Sequence, residues 1–295
     1  VNHDDLDRVQ AILHDMGEPT PDTAEQTLPL LACFAPLTEL VSTTALDGLI
    51  ADRAAFSPAF LSLLTLLYAE PAEEHRLMRE IPTLGLADDV VSRKVREQYE
   101  SFPYPRWRHR GQVTPAPFCD MLGTSVRLQP AEEQAARNLA TPDLLIAGCG
   151  TGSHSVLTAQ QVENSRVTAI DLSLRSLGYA ARKTRDAGVE NVTYMQADIL
   201  ALANWERRFD IIESVGVLHH MADPMAGWRI LETLLKPGGF MRIGLYSARA
   251  RIKISEARAE IARRGLASDA DSIRAFRSEI LTTGRAHPLW ELSEA

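Results

Sequence analysis

Apolar residues recur at three- and four-residue steps through the first third of the chain, the spacing of one face of an α-helix. They include Leu28, Leu31, Ala32 and Ala35, and then Phe60, Leu63, Leu64 and Leu67. Prolines fall between these periodic pieces, where they end one helix or begin another. The pattern therefore predicts a helical N-terminal domain over residues 1–98 with short connections.

The periodicity stops where the chain reads YESFPYPRW, from Tyr99 on. Proline, aromatic residues and arginine dominate here, and a segment of this kind is typical of a linker or a functional loop. We interpret residues 99–139 as a linker or lid, and we place the beginning of a further domain, 140–295, where the pattern changes again.

From residue 140 on, short aliphatic and β-branched runs alternate with helical stretches. The predicted strands are Leu144–Ala147, Val167–Ile170, Val192–Met195, Phe209–Glu213 and Phe240–Leu245, and the predicted helices between them are His154–Gln161, Leu174–Ala187 and Pro224–Leu235. Strands that alternate with helices pair in parallel through right-handed crossovers. The fold class is therefore α/β, a doubly wound parallel sheet.

After Tyr246 the pattern is helical again, through Arg264 and from Ser268 to Leu281. The residues that follow hold no pair of alternating apolar runs and are too few for two strands and a turn. We therefore expect a sheet of five strands. Its edge beside the fifth strand is expected to be uncovered or paired with another chain, which would make the protein a homo-oligomer.

Composition narrows the classes of partner and location. A formal net charge of -8 and a pI of about 5.5 argue against binding to nucleic acid or to an anionic membrane by charge alone. No apolar run has the length of a membrane span, and the N-terminus lacks the order of a secretory signal. Cys33, Cys119 and Cys149 are too scattered for a disulfide framework or a zinc site, so we expect free thiols in a cytoplasmic, metal-independent protein.

The first strand after residue 140 ends in the glycine-rich turn GCGTG, which opens a helix. Its residues are Gly148, Cys149, Gly150, Thr151 and Gly152. Glycines let the backbone turn tightly and approach a ligand, while a helix N-terminus offers unpaired N–H groups. The spacing is GxGxG and not the GxGxxG of dinucleotide-binding folds, which disfavours an NAD-linked oxidoreductase.

Acids follow at the ends of the next two strands. Asp171 ends the second strand, where a carboxylate can accept both ribose hydroxyls of an adenosine. Asp198 ends the third and could meet the adenine amino group, with Leu172 and Ile199 flanking the ring. Three consecutive strand ends with suitable residues predict a nucleoside pocket at the carboxyl edge of the sheet.

From Leu144 to Ser247 the chain resembles the class I S-adenosylmethionine-dependent methyltransferases. The resemblance rests on the motifs LIAGCGTG, AIDLS, MQADI, FDIIESVGVLHHM and LKPGGFMRIGLYS, in that order and at the family's spacing. It implies a Rossmann-like sheet, here without the family's C-terminal hairpin, and S-adenosylmethionine as cofactor. With YESFPYPRW in front, the chain also resembles a bacterial subgroup often found behind tetratricopeptide repeats.

The chain departs from the family at one position. An Asp or Glu usually stands two residues before the first motif glycine, and here that residue is Ile146. The acid that helps to hold the methionine amino group is missing there. Main-chain carbonyls around Ser214 and Val215, or the side chain of Glu213, would then have to accept its hydrogen bonds.

The resemblance suggests catalytic residues, and the residues before residue 140 suggest a lid. A hydroxyl acceptor needs a base, and His219 and His220 follow the fourth strand, beside the expected methyl position; we prefer His219. The alternative is that a histidine only caps a strand or helix by hydrogen bonding. Tyr99, Tyr104 and Arg106 would close over the methionine moiety, or else serve as aromatic and charged anchors of a structural linker.

Three functions stay open on the sequence alone. The first is in-line methyl transfer to a hydroxyl or amine of a small molecule, the second is a protein or peptide methyltransferase, and the third is a nucleoside-binding scaffold without turnover. Fold alone cannot separate them. The missing acid at residue 146 favours the third, whereas the histidine pair and the two strand-end acids favour the first two.

Overall fold

The structure is a computed structural model that describes residues 20–109, 111, 113–123 and 126–293. These residues divide into two compact units, one that ends at Ile243 and one that starts at Gly244. The helical pattern predicted before residue 20 lies outside the described residues. The boundaries proposed from the sequence near residues 98 and 139 stay a prediction.

Helices form the first part of the first unit. They are α1 (Pro21–Leu31), α2 (Leu37–Leu40), α3 (Thr43–Ala51), α4 (Pro58–Leu64), α5 (Glu70–Met78) and α6 (Val90–Ser101), and a π-helical segment at Thr65–Ala69 joins α4 to α5. Serine side chains cap α3 and α4. The apolar faces of α1 to α4 meet in one core in which Leu28, Leu46 and Leu64 are fully buried, as the three- and four-residue spacing predicts.

The second part of this unit is an α/β sheet. Its strands are β1 (Thr83–Gly85), β2 (Asp143–Ala147), β3 (Arg166–Asp171), β4 (Val192–Ala197), β5 (Phe209–Val215) and β6 (Leu235–Gly244), in the order β1-β4-β3-β2-β5-β6. The pairs β1–β4, β4–β3, β3–β2 and β2–β5 are parallel. This confirms the predicted fold class and the five strands expected after residue 140.

The sheet has one strand more than the sequence pattern predicts. Strand β1 interrupts the helical region and lies beside β4, where the Thr83 hydroxyl donates to the Gln196 side chain over 2.9 Å. A strand of three residues is too short to show a period of two, and its partner lies 113 positions further along the chain.

Helices cover both faces of the sheet. They are α7 (Phe118–Gly123), α8 (Pro130–Arg137), α9 (Ser153–Gln161), α10 (Leu174–Asp186) and α11 (Pro224–Thr233). Side chains of β2 alternate between two cores, with Leu144 and Ile146 in one and Leu145 and Ala147 in the other. Helices α7 and α8 lie in the segment interpreted as a linker, and both contribute buried residues to the first core.

The second unit is helical, as its sequence pattern predicts. It contains α12 (Ile252–Arg264) and α13 (Ala270–Thr283), whose core includes Ala257, Ile280 and Leu289. Residues 245–293 contain no strand, so they form no hairpin. In the part of the chain that the structure describes, no helix is long and apolar enough to cross a membrane.

Candidate cofactor and catalytic site

The glycine loop between β2 and α9 has a backbone that side chains do not fit. Gly148, Gly150 and Gly152 have φ angles of 80°, 53° and 77°, in the left-handed region that favours glycine. A Cβ atom on Gly148 would lie 2.3 Å from Val217, and one on Gly152 would lie 2.5 Å from Ala180. The loop therefore needs glycine both for its conformation and for its close packing, as predicted for a backbone that approaches a ligand.

Asp171 joins this loop to the end of β3. Its Oδ2 accepts a hydrogen bond from the Gly150 N–H over 2.7 Å, and its Oδ1 accepts one from the Ser173 N–H over 2.9 Å. Burial raises the pKa of Asp171, these bonds offset part of that effect, and the nearby charge of Glu100 adds to it. Each carboxylate oxygen has two acceptor positions, so room for ribose hydroxyls remains.

Asp198 stands at the end of β4 with one oxygen unsatisfied. Its residue is 2% exposed, and its Oδ1 accepts the Leu200 N–H over 2.8 Å. Its Oδ2 is buried and has no hydrogen-bond partner among the described residues. A buried unpaired acceptor costs about 1–3 kcal/mol, so a ligand N–H donor such as an adenine amino group fits this atom.

Strand β1 borders the same position. The Asp198 N–H donates to the Gly85 carbonyl over 2.9 Å, and the Gln196 side chain donates to the Leu172 carbonyl over 2.9 Å. Ile199, which follows Asp198, is buried. Leu172, Asp198 and Ile199, predicted to enclose an adenine, therefore meet around the ends of β3 and β4. The contribution of β1 to this edge is not visible in the sequence.

The segment after α6 packs on the glycine loop through Pro105 and Trp107, which no sequence motif marks as contacts of the loop. The Trp107 indole N–H donates to the Thr151 carbonyl over 2.8 Å. The Thr151 hydroxyl donates to the Pro105 carbonyl. The Tyr179 hydroxyl of α10 in turn donates to the Trp107 carbonyl. These contacts hold the segment against the loop, as a lid would be held. The side chain that contacts the loop is that of Trp107, and not one of the three predicted lid side chains.

The predicted lid residues Tyr104 and Arg106 differ in position: the Tyr104 carbonyl lies beside Gly150 of the loop, whereas the Arg106 guanidinium lies against α5. Tyr104 is 72% exposed. The Arg106 guanidinium lies 3.4 Å from Glu74 of α5 and 5.2 Å from the ring centre of Tyr179. Neither contact of Arg106 is with the glycine loop, so the role of these two side chains toward a cofactor stays a prediction.

The histidine pair lies in a 3-10 turn, Leu218–His220, directly after β5. Both histidines are half-buried, and their ring centres are 4.3 Å apart. The ring of Tyr99, at the end of α6, meets His220 edge to face with the ring centres 6.3 Å apart. The structure thus brings Tyr99 to the histidine pair.

A buried acid lies on β5, one residue before Ser214. Glu213 is 6% exposed and Ser214 is fully buried, while Val215 is 45% exposed. The Glu213 Oε2 lies 2.6 Å from the His154 Nε2 and accepts the Thr158 hydroxyl over 3.3 Å. Burial is the largest single influence and raises the pKa of Glu213, but His154, the charge of Arg242 and the Thr158 hydroxyl together outweigh it, so the pKa of Glu213 is lowered.

The cysteines are free, as predicted. Cys33 is exposed, Cys119 and Cys149 are buried, and burial raises the pKa of the Cys149 thiol. Across the described residues, no group of three or more His, Cys, Asp or Glu side chains is arranged to hold a metal ion. Metal independence remains a prediction.

Comparison with known proteins places this site in a family. A family model described as "Methyltransferase domain" matches residues 144–239. The chain is 29% identical over 189 residues to an uncharacterized protein of Synechococcus sp., covering 59% of this chain and 42% of that protein. It is 32% identical over 143 residues to the ubiquinone biosynthesis O-methyltransferase of Azotobacter vinelandii, covering 48% of this chain and 58% of that enzyme.

A solved structure of magnesium protoporphyrin IX methyltransferase from Synechocystis PCC 6803 with bound SAM is 23% identical. It covers 52% of this chain and 75% of that chain, with a TM-score of 0.37. The chain spans about half the length of the curated relatives, 42% and 58%. The narrower likeness to a subgroup behind tetratricopeptide repeats stays a prediction. Residues 144–239, which hold the glycine loop, both strand-end acids and the histidine pair, match the methyltransferase-domain model, as their resemblance to the class I S-adenosylmethionine-dependent methyltransferases predicts.

Proposed function

We propose that the protein transfers a methyl group from S-adenosylmethionine to a hydroxyl or amine of a small molecule. The observation that carries the proposal is the buried Oδ2 of Asp198, which has no partner among the described residues. It lies at the third of three neighbouring strand ends, beside Asp171 and the glycine loop. An adenosine offers an N–H donor for the unpaired Oδ2 of Asp198 and hydroxyl donors for the remaining acceptor positions of Asp171.

The residues of the site would bind and orient the cofactor. Asp171 accepts the ribose hydroxyls, Asp198 accepts the adenine amino group, and the loop from Gly148 to Gly152 lets the backbone approach the ligand. S-adenosylmethionine supplies a methyl group on a positively charged sulfur, a leaving group that is already activated. Positioning of donor and acceptor by the chain then provides much of the acceleration.

The acceptor side would lie at the histidine pair. If the acceptor is a hydroxyl, His219 in its neutral form removes the proton. Tyr99 contacts His220 and would border the same space. The relative from Azotobacter vinelandii is named an O-methyltransferase, which favours a hydroxyl acceptor. The other two possibilities are a peptide acceptor and cofactor binding without turnover. A screen of acceptors would distinguish them from methyl transfer to a small molecule.

The variant Asp198→Asn tests the placement of the adenine. It keeps the size of the side chain but removes an acceptor, so affinity for S-adenosylhomocysteine should fall about tenfold or more in isothermal titration. Without ligand, Asp198→Asn should be as stable as the wild type or more so, because a buried unpaired charge is gone.

The matched control is Asp271→Asn, at an acid with a side chain that is 92% exposed, and it should bind like the wild type. Unchanged affinity in Asp198→Asn would show that the adenine lies elsewhere. A wild-type protein that binds neither S-adenosylmethionine nor S-adenosylhomocysteine would overturn the proposed function. A screen of phenols and amines for consumption of the donor would then identify the acceptor class.

A further inference from the structure

Glu213 is a buried acid, and the proposed roles of Asp171, Asp198 and His219 give it no function. It lies on β5 in register with Ile146 on β2, the position where the family has an acid. Residues in register on parallel strands project from the same face of the sheet. The carboxylate of Glu213 therefore lies on the face where the missing side chain would have been, one strand away.

The two oxygens of Glu213 are held unequally. His154 and Thr158, both on α9, engage Oε2 at 2.6 Å and 3.3 Å. Oε1 meets the Arg242 guanidinium at 3.5 Å, the outer limit of a hydrogen bond, and the Arg242 side chain is 66% exposed. A second cation can replace Arg242 there, since an exposed arginine loses little by turning to solvent.

We propose that Glu213 binds the ammonium group at the methionine end of S-adenosylmethionine, with His154 fixing the orientation of its carboxylate. This inference rests on the proposed function. His154 is the second residue of α9, directly after the glycine loop, and Glu213 comes one residue before the predicted contact at Ser214. Both residues thus belong to the end of the site opposite Asp198, where Ile146 offers no acceptor.

An opposite arrangement is conceivable on charge alone. His154 and Arg242 could bind the carboxylate of the methionine end, and Glu213 would then serve only to position them. The two arrangements differ in which ligand group the acid recognises. Analogues of S-adenosylhomocysteine that lack either the amino group or the carboxylate therefore separate them.

The experiment measures three dissociation constants by titration calorimetry for the wild type and for Glu213→Gln. The ligands are S-adenosylhomocysteine, its analogue without the amino group, and its analogue without the carboxylate. In Glu213→Gln, affinity for the two ligands that carry the amino group should fall roughly ten- to a hundredfold, the range for a charged hydrogen bond. Affinity for the analogue without the amino group should not change.

Further variants guard against a general structural effect. His154→Gln should lower affinity for the same two ligands by a smaller factor. Glu213→Asp should keep part of the preference for the amino group, which serves as the comparison if Glu213→Gln folds poorly. Glu163→Gln changes an exposed acid shortly after α9 and should leave all three constants unchanged.

Several results would overturn the proposal. Equal losses for all three ligands in Glu213→Gln would make Glu213 a structural residue, and no loss for any of them would remove it from the site. A loss confined to the ligands that carry the carboxylate would favour the opposite arrangement. A wild-type protein that binds none of the ligands would overturn the proposed function, and this inference with it.

Discussion

At the scale of single residues, Asp171 and Asp198 show how two identical side chains take different roles because their surroundings differ. Both oxygens of Asp171 accept main-chain N–H groups, from Gly150 and Ser173, so this acid helps to build the loop before any ligand arrives. Asp198 uses one oxygen as a cap and keeps the other buried and unpaired among the described residues. Loss of Asp171 would therefore disturb the loop as well as binding, whereas Asp198 reports on the ligand.

His219 carries a prediction at the same scale. In His219→Gln, turnover should fall about a hundredfold or more, since a general base contributes that much to rate. Affinity for S-adenosylhomocysteine should stay within about twofold, because the base acts only when the acceptor loses its proton. Steady-state kinetics and calorimetry on the same preparation would compare the two.

The control for this variant is His75→Gln, at an exposed histidine on α5, which should change neither quantity. Parallel losses of turnover and cofactor affinity in His219→Gln would mark a structural histidine. A normal rate would exclude His219 as the base and move attention to His220.

Sequence reading predicts those site residues that follow strand ends, because a short motif places them. Asp171, Asp198 and the histidine pair are of this kind. It cannot predict Trp107 on Thr151 or Glu100, which accepts the Leu174 N–H over 2.6 Å. These partners lie 44 and 74 positions apart in the chain, so tertiary packing alone brings them together.

At the scale of elements, the amino ends of the strands are joined by an ionic cluster on the side of the sheet away from the site. The Asp143 carboxylate accepts two hydrogen bonds from Arg166 of β3, over 2.8 Å and 2.9 Å. Lys236 of β6 donates to Asp210 of β5 over 2.9 Å and lies 3.5 Å from Asp143. One cluster thus links β2, β3, β5 and β6.

This cluster predicts a dependence of stability on pH. The hydrogen bonds from Arg166 hold the pKa of Asp143 below its usual value. A lowered pKa in the folded state gives stability that is present above the pKa of the unfolded state and is lost as pH falls through the folded value. Asp143→Asn should therefore lower the free energy of unfolding by about 1 kcal/mol at neutral pH.

Urea unfolding at several pH values would measure this effect. The difference between wild type and Asp143→Asn should shrink as pH falls below about 4, where the carboxyl of the unfolded chain takes up its proton. Asp271→Asn, at an exposed acid, should show little difference at any pH. A difference that stays constant or widens in acid would show that the cluster does not act through the charge of Asp143.

Elements with a clear period are predictable, and short ones are not. The strands β2 to β5 lie within two residues of their predicted ends, while β6 begins at Leu235 and not at Phe240. The first half of β6 is the run LKPGG, whose one proline and two glycines are residues that sequence rules assign to a turn. Helix α7 is one of the short elements, with six residues.

At the scale of the whole molecule, the helical region is attached to the sheet through α5 and α10. A Cβ atom on Gly178 of α10 would lie 2.7 Å from the Met78 side chain and 2.8 Å from the Glu74 carbonyl. Beside this contact, Arg182 forms a buried ion pair with Glu74 at 3.0 Å. Residues before and after the predicted linker are thus part of one compact unit, which the sequence could not show because the two helices lie about a hundred positions apart.

The pair of Glu74 and Arg182 predicts how strongly this attachment contributes to stability. The two residues are 6% and 5% exposed, so removal of Arg182 leaves the buried Glu74 carboxylate with only the longer contact to Arg106, at 3.4 Å. Arg182→Met should lower the free energy of unfolding by about 3–5 kcal/mol, while the double variant with Glu74→Met should recover much of that loss, since an apolar pair of similar volume is often as stable. Denaturant titrations of the wild type, both single variants and the double variant would give the coupling energy.

Arg274→Met, which breaks an exposed pair, is the matched control. Equal losses in the single and double variants would mean that packing around Gly178, and not the ion pair, holds the helical region to the sheet.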